Sequence, residues 1–400
     1  MKYRIDKKSG NKISVLGYGC MRFPRSGGKI DLPRSTKLLH TAIERGVNYL
    51  DTAYIYPGSE RAVGKILEGG WRDKVYIATK LPLILCRASS DMDKYFNKQL
   101  ERLQTDRIDY YLLHMLSDIS TWEKFCGFGI EKWIEEKKKQ GQIKQIGFSY
   151  HGGRDEFSKL IDAYNWDFCM IQYNYIDENN QAGKTGLHKA AAKDIPVIAM
   201  EPLLGGRLAN GLSPSAKDIF KKAKPDSTPA EWALKWIWNQ PEIISLLSGM
   251  SDEAQLEENL RLADASDADM LTQAETEAIN RAIDEITKLT KINCTSCGYC
   301  MPCPAGVDIP MCFTSYNTSF TMGKTMGLRQ YMQNIGSLTP NQHYASLCIK
   351  CGKCEKHCPQ SIQIQQLLED VARRMEPFWF KPAMSAARAF MGINKKKRSD

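Results

Sequence analysis

The chain reads as an α/β protein, a (β/α)8 barrel of the TIM type followed by a small α-helical domain. Three observations predict this. Over the first 290 residues, eight short apolar runs alternate with longer amphipathic stretches. Beyond residue 290 that alternation stops and two cysteine clusters take over. Four hundred residues also exceed one compact core, which calls for two domains.

The apolar runs are Ile13–Gly17, Tyr49–Asp51, Val75–Lys80, Tyr110–His114, Ile143–Gly147, Phe168–Gln172, Val197–Glu201 and Ile243–Leu247. Met1–Ser14 alternates in polarity and reads as a small hairpin closing the barrel bottom. Helical patterns lie between the runs, among them Ser35–Arg45, Met92–Leu103, Thr121–Lys139 and Thr228–Asn239. In the last, Thr228 is an N-cap and Pro229 occupies the first helical position. Leu271–Lys288 reads as one more helix, so the barrel spans residues 1–288.

The second domain, 289–376, begins with Leu289–Asn293 leading into the cysteines. Between Cys303 and Cys348 lie 44 residues, with a helix-like stretch around Thr325–Asn334 and a turn at Gly336–Pro340. An amphipathic helix follows over about Ile364–Arg374. The tail, 377–400, is aromatic over Pro377–Phe390 and ends in Lys395-Lys-Lys-Arg398. It reads as a strap packed on the barrel rather than a membrane-surface anchor, because Pro377 and Pro382 interrupt any long amphipathic helix.

In such a barrel the polar residues at the C-terminal ends of strands are the catalytic candidates. Strand two ends at Asp51, with Tyr56 five residues on; strand three ends at Lys80 and strand four at His114. A lone histidine after Leu-Leu is ordinarily a satisfied core residue. Four ionisable residues of different types on successive units are much harder to obtain by chance. A polar rim network without turnover is the rival reading.

The second cysteine cluster, Cys348, Cys351, Cys354, Cys358, Pro359, is C-x2-C-x2-C-x3-C-P. The first, Cys294, Cys297, Cys300, Cys303, Pro304, has one residue fewer before its last cysteine. Three cysteines at i, i+3, i+6 wrap one face of a cube, and a fourth followed by proline supplies the remaining corner. The pattern predicts two [4Fe-4S] clusters. Zinc prefers two separated C-x2-4-C pairs. A disulfide framework is poorer still, since thirteen cysteines is an odd number and no signal peptide precedes them. Cys20, Cys86, Cys126, Cys169 and Cys312 lie outside the motifs and read as buried small apolar side chains.

Hydrophobic content of 42% and charged content of 25% are ordinary for a soluble globular chain, here read as cytoplasmic. No apolar run has transmembrane length. Residues 291–400 carry fourteen Lys/Arg against six Asp/Glu, which is +8 of the chain's +9. Part of that charge offsets the anionic clusters; the rest either faces an acidic electron carrier such as a ferredoxin or flavodoxin, or is solvated surface. Lys350, Lys353 and Lys356, in or beside the second motif, are best placed to guide a carrier. No nucleic-acid-binding motif accompanies the charge.

The segment Gly46-Val-Asn-Tyr-Leu-Asp51-Thr-Ala-Tyr-Ile-Tyr56-Pro-Gly-Ser-Glu60 resembles the signature of the aldo-keto reductases. Ile77-Ala-Thr-Lys80, Asp109-Tyr-Tyr-Leu-Leu-His114, Ile143-Lys-Gln-Ile-Gly-Phe-Ser149 and Ile171-Gln-Tyr-Asn174 extend the likeness, in order, over roughly residues 11 to 262. The whole chain resembles the subfamily with a fused 4Fe-4S dicluster domain, and that domain resembles the α-helical ferredoxins of respiratory iron–sulfur subunits. In two-cluster ferredoxins the fourth cysteine of each motif ligates the other cluster. The same crossing gives Cys294, Cys297, Cys300 and Cys358 for one cluster, and Cys348, Cys351, Cys354 and Cys303 for the other.

The resemblance implies carbonyl or alcohol redox with NAD(P). Tyrosine, with a pKa near ~10, is a reluctant acid at neutral pH. A nearby lysine lowers that value and a buried aspartate holds the lysine. The resemblance assigns these roles to Tyr56, Lys80 and Asp51, with His114 orienting the carbonyl or sharing the proton. It also implies cofactor contacts at Gly19, Met21, Ser149, Gln172, Met200, Leu203, Gly205, Gln255, Glu258 and Asn259. The chain departs from the family pattern in three places. Tyr150, followed by His151, stands where the family has a carboxamide-binding asparagine, and a phenol cannot both donate and accept as an amide does. Gly249 and Gln255 stand where NADPH-selective members have a lysine and an arginine on the 2′-phosphate. The pocket keeps the adenine end and loses the phosphate grip, so no strong NADPH preference is expected.

A hydride carries two electrons, whereas a cluster normally passes one. A flavin would bridge the mismatch, but the sequence carries no flavin fingerprint, and the coupling stays open. Two functions follow. One is an oxidoreductase acting on a small carbonyl or alcohol and exchanging electrons through the clusters. The other is an electron-transfer or assembly subunit whose barrel is a docking module.

Overall fold

The computed structural model describes residues 1–152, 154–179, 181–321, 323–332, 335 and 342–390, the last four of these without their side chains. It divides into two compact units. The first comprises residues 1–203 and 230–272, the second 204–229 and 273 onward. This division by compactness differs from a boundary at 288. The segment 204–229 and helix Gln273–Leu289 group with the cysteine-bearing part.

The first unit is a closed barrel of eight parallel strands. We number them β1 (Leu16–Gly19), β2 (Tyr49–Asp51), β3 (Tyr76–Leu81), β4 (Ile108–Leu113), β5 (Ile143–Tyr150), β6 (Phe168–Gln172), β7 (Val197–Met200) and β8 (Ile243–Ser248). They pair in sequence order, and β8 closes on β1. Side chains alternate along a strand, so one residue in two points inward. Tyr49, Ala78, Tyr110, Leu112, Phe168, Met170 and Ile198 form that interior. Tyr110 meets Tyr49 and Phe168 edge to face, with centroids 5.2 and 5.0 Å apart. Gly147 on β5 lets this packing close up, because a Cβ there would lie 2.5 Å from Phe168 O.

The expected N-terminal hairpin is present, with Tyr3–Ile5 paired antiparallel to Lys12–Ser14. Ile13 joins the barrel interior, and the Tyr110 hydroxyl donates to Asp6 Oδ2 at 2.7 Å. The first barrel strand therefore starts at Leu16, beyond a bend in which the Ser14 hydroxyl donates to Leu16 O, and not at Ile13. The continuous helix expected over Thr121–Lys139 is two helices, Ile119–Gly127 and Ile130–Lys139. Gly129, at φ 79°, breaks them apart.

In the second unit, helices Ile309–Thr321, Lys324–Tyr331 and Ile364–Met375 enclose a core of Ile309, Phe313, Tyr331, Leu368 and Val371. Asn317 fixes the approach to the first cysteine. Its amide donates to Ile292 O at 2.6 Å and its oxygen accepts from Lys291 N and Ile292 N. The tail forms a helix, Phe380–Phe390, which corrects the interruption expected at Pro382. Pro382 sits in its first turn, where no backbone N–H is needed. Phe380 and Met384 are buried in the second unit's own core, with Phe380 against Tyr331 and Tyr344. The turn at Gly336–Pro340, Asn334 and the run Lys395–Arg398 lie outside the described residues. Among the described residues no helix is long and apolar enough to cross a membrane.

Candidate active site and cluster cavities

Strand alternation carries the barrel's inward face to its C-terminal mouth. Two residues beyond Tyr49, Ala78, Leu112, Phe168-Met170 and Ile198 come Asp51, Lys80, His114, Gln172 and Met200. Lys80 is 1% exposed, and its ammonium donates to Asp51 Oδ1 and Oδ2 at 2.6 and 2.7 Å and to Thr52 O at 2.8 Å. The same ammonium lies 5.1 Å from the centre of the half-buried Tyr56 ring. Tyr56 meets the His114 ring edge to face at 6.0 Å. The four rim residues expected from the sequence thus gather in one place.

A buried hydrogen-bond network backs the Lys80 segment. Glu60 accepts from Thr79 Oγ1 at 2.7 Å and from Gln99 Nε2 at 2.8 Å, and pairs with Arg102 at 3.0 Å. Gln99 also donates to Lys80 O at 3.0 Å, which fixes the backbone that carries the ammonium. Burial pushes the Asp51 carboxyl above its ordinary value, and Lys80 pulls it back. Burial, reinforced by Lys80 and by His151, holds His114 well below the usual imidazole range. His114 is therefore neutral at physiological pH and can donate a hydrogen bond to a substrate oxygen without carrying charge.

At the expected cofactor positions, Ser149 Oγ accepts from Met115 N at 3.0 Å. Gln172 donates to Asp177 Oδ2 at 2.7 Å. Asn259 donates to Ser248 Oγ at 2.9 Å. Gln255 turns back on Ser251, accepting from its N at 3.0 Å. Tyr150 is buried against Phe157 of the helix layer, ring centres 5.0 Å apart, and so does not occupy the asparagine's place at the mouth. Strand β5 runs three residues past its expected end at Gly147, and its alternation turns Tyr150 outward and His151 inward. Burial pushes His151 down to about 4, and the neighbouring Lys80 charge acts in the same direction. Sequence reasoning passed over His151; the inward Gly147–Ser149–His151 alternation was the signal available. Gly249 is covered by Arg22, whose side-chain carbons lie 3.0–3.3 Å from where a Cβ would stand.

Residues 15–283 match the Aldo/keto reductase family, more than half of the chain. The chain belongs to that family. Residues 293–362 match the 4Fe-4S dicluster domain, so an oxidoreductase barrel is fused to an iron–sulfur domain. The chain is 29% identical over 298 residues to the uncharacterized oxidoreductase YqkF of Bacillus subtilis, covering 67% of this chain and 92% of that protein. It is 26% identical over 271 residues to 6-dehydroglucose reductase of Novosphingobium aromaticivorans, covering 62% and 86%. Among solved structures it resembles the aldo-keto reductase AKR11C1 of Bacillus halodurans in its holo form. That match has a TM-score of 0.58 and 25% identity, and covers 70% of this chain and 96% of that one.

In the iron–sulfur domain the two cysteine loops share one backbone course. Ser296 and Lys350, two residues past the first cysteine of each motif, have φ of 56° and 54°. Their amides point at Cys294 Sγ and Cys348 Sγ, each at 3.4 Å. Gly298 and Gly352 follow at φ 80° and 70°. Cys294, Cys297 and Cys300 line one cavity together with Cys358 from the far motif. Cys303, Cys348 and Cys354 pack on the same hydrophobic core, and Cys351 is exposed. Among the described residues no three Cys, His, Asp or Glu side chains gather as for a single metal ion. Outside the motifs, Cys20, Cys86, Cys169 and Cys312 are buried as expected, while Cys126 is only half-buried. Lys350, Lys353 and Lys356 are all exposed beside the second motif, and Lys350 pairs with Glu369.

Proposed function

We propose that the barrel interconverts a small carbonyl compound and its alcohol, with Tyr56 moving the proton and NAD(P) as hydride partner. The observation that carries this reading is the buried Lys80–Asp51 pair, which fixes a positive charge 5.1 Å from the Tyr56 ring. A cation at that site favours tyrosinate and makes the phenol a better acid. Neutral His114 orients the substrate oxygen toward Tyr56. When bound, the dinucleotide supplies or accepts the hydride. Ser149, Gln172 and Met200 would hold its nicotinamide end. Gly19, Met21, Leu203 and Gly205 would line its middle, and Gln255, Glu258 and Asn259 its adenine end. With Gly249 in place of a lysine, we expect no strong preference for NADPH.

In the iron–sulfur domain we propose two [4Fe-4S] clusters, one on Cys294, Cys297, Cys300 and Cys358, the other on Cys348, Cys351, Cys354 and Cys303. The cavity shared by the first four, and the matching amide-to-sulfur contacts in both loops, support this donor set. The clusters would exchange single electrons with an acidic ferredoxin or flavodoxin. We take the functional domains as 1–288, 289–376 and a tail, 377–400, and the cytoplasm, which keeps such thiols reduced, as the compartment. A docking role for a non-catalytic barrel is the second reading, favoured by the outward turn of Tyr150. Tyr56→Phe tests the choice. Turnover of an active carbonyl substrate should vanish while cofactor affinity stays within about twofold, since only the transferred proton is lost. An unchanged rate rejects the assignment.

A further inference from the structure

The second unit turns three large apolar side chains outward beside its second cysteine loop. Ile349, between Cys348 and Cys351, is 66% exposed, Phe378 94% and Trp379 40%. Phe378 and Trp379 form the tip of a turn that closes with Phe380 N donating to Pro377 O at 2.8 Å. Both ends of this turn are tied to the segment before Cys348. On one side, Glu376 Oε1 accepts from the Tyr331 hydroxyl at 2.6 Å and from Ser346 N at 3.0 Å. On the other, Phe380 is buried against Tyr344, ring centres 5.2 Å apart. The aromatic tip and Ile349 thus flank one short stretch of backbone, 344–348. Exposed apolar residues standing singly are ordinary, whereas a grouped set marks a contact site.

Two features say what covers it. Cys351, two residues past Ile349, is the one exposed cysteine among the described residues, so a cluster held there would reach the surface at this face. The same two segments carry the exposed lysines Lys350, Lys353, Lys356 and Lys381. Acidic groups are interspersed among them. Lys350 pairs with Glu369, and Gln365 donates twice to Glu355, from N and from Nε2, both at 2.8 Å. Mixed charge with lysine in excess suits the discrete carboxylates of an acidic protein. An anionic lipid face would meet Glu355 and Glu369 unfavourably, and a second copy of this chain would bring lysine against lysine.

We propose that Ile349, Phe378 and Trp379 are the apolar centre of a docking surface for an acidic one-electron carrier protein, over the second cluster. The inference rests on the two-cluster reading above and adds where the carrier sits: at the second cluster, anchored by aromatic side chains and steered by the lysines. Aromatic residues carry a disproportionate share of the binding energy at interface centres, and a small transient contact suits electron transfer. The exchange moves one electron and no atom. The cluster gains the electron that the carrier loses.

The test uses anaerobically purified holoprotein and two acidic carriers as probes, a plant-type [2Fe-2S] ferredoxin and a flavodoxin, each mixed in its reduced form by stopped flow. Iron content and EPR, recorded first, report the clusters themselves. In the wild type the observed rate should saturate with carrier concentration. Phe378→Ser, a change at an almost fully exposed side chain, should raise the half-saturating concentration about tenfold, as expected for loss of an aromatic anchor. The limiting rate, the cluster potential and reduction by dithionite should match wild type. Ile349→Thr should act in the same direction. The ratio of half-saturating concentrations should be similar at low and high salt, because an apolar contact is not screened. Equal half-saturation in wild type and Phe378→Ser overturns the proposal, as does failure of both carriers with a protein whose clusters dithionite reduces. Binding to phosphatidylserine vesicles, or a dimer, that Phe378→Ser abolishes would assign the patch elsewhere and overturn it too. A protein lacking the second cluster fails at the iron and EPR stage instead, which removes the two-cluster reading and this inference with it.

Discussion

Replacing Lys80 by methionine removes the ammonium and leaves most of the side-chain volume. Asp51 then keeps a carboxylate with 6% side-chain exposure and loses the hydrogen bonds at 2.6 and 2.7 Å. Breaking a buried pair from one side costs about 3–5 kcal/mol, because the surviving charge is stranded. The variant can relieve that cost by protonating Asp51, whose carboxyl burial already pushes upward with Lys80 in place. With the folded value above the unfolded one near ~3.9, the folded form holds the extra proton in the interval between them. Stability in the variant therefore falls as pH rises through that interval, by at most about 1.4 kcal/mol per pH unit. Lys80→Met should lose little at pH 5 relative to its loss at pH 8. Adding Asp51→Asn should recover most of the deficit and remove the pH dependence. Urea unfolding followed by tryptophan fluorescence reports mainly the barrel, since Trp379 is the only tryptophan outside the first unit. A single-variant cost below about 1 kcal/mol, flat from pH 5 to 8, would refute the buried-pair argument.

Other outcomes follow from the same geometry. With His114 held neutral by burial, kcat should show no break near pH 6.5; an acid limb there that vanishes in His114→Gln would show that the imidazole titrates within the working range. Anaerobic protein should be brown with about eight irons per chain. Cys358→Ser should damage the cluster held by the Cys294 loop, as read by iron content and by EPR of the reduced protein; two intact clusters in that variant would exclude the crossed ligand set. Charge reversal at Lys353 and Lys356 should slow reduction by an acidic carrier, and more so at low salt, because the screening length shrinks from roughly 10 Å at 0.1 M to about 3 Å at 1 M. Reduction by dithionite should change little, and a salt-independent rate with a shifted cluster potential would mean that these lysines only balance cluster charge.

Much of the barrel was legible because its strands are apolar on both faces and stand out as short runs; Tyr49–Asp51 and Phe168–Gln172 coincide with the structure residue for residue. The rim cluster was legible for a related reason, since Asp51, Lys80 and His114 sit at or just past the ends of such runs. What escaped depended on one or two residues. Nothing in the apolar spacing of Thr121–Lys139 marks the positive φ of Gly129 that splits it. A strand ending at Gly147 leaves Tyr150 and His151 in a loop with no assigned face, whereas β5 runs on to Tyr150 and its alternation turns that phenol outward. The grouping of 204–229 with the cysteine-bearing unit rests on contacts distant in sequence, which no local pattern encodes.

The cavity shared by Cys294, Cys297, Cys300 and Cys358 has a consequence for how the chain is made. Three of its four thiols leave the ribosome together, and the fourth follows 58 residues after Cys300. At roughly 5–20 residues per second that interval lasts about 3–12 s. Throughout it, a nascent chain offers iron an incomplete set of thiols. With Cys358 as the fourth ligand, as proposed, whatever delivers the metal would have to wait for it or occupy the open corner itself, and a chain truncated before residue 358 would leave that corner open.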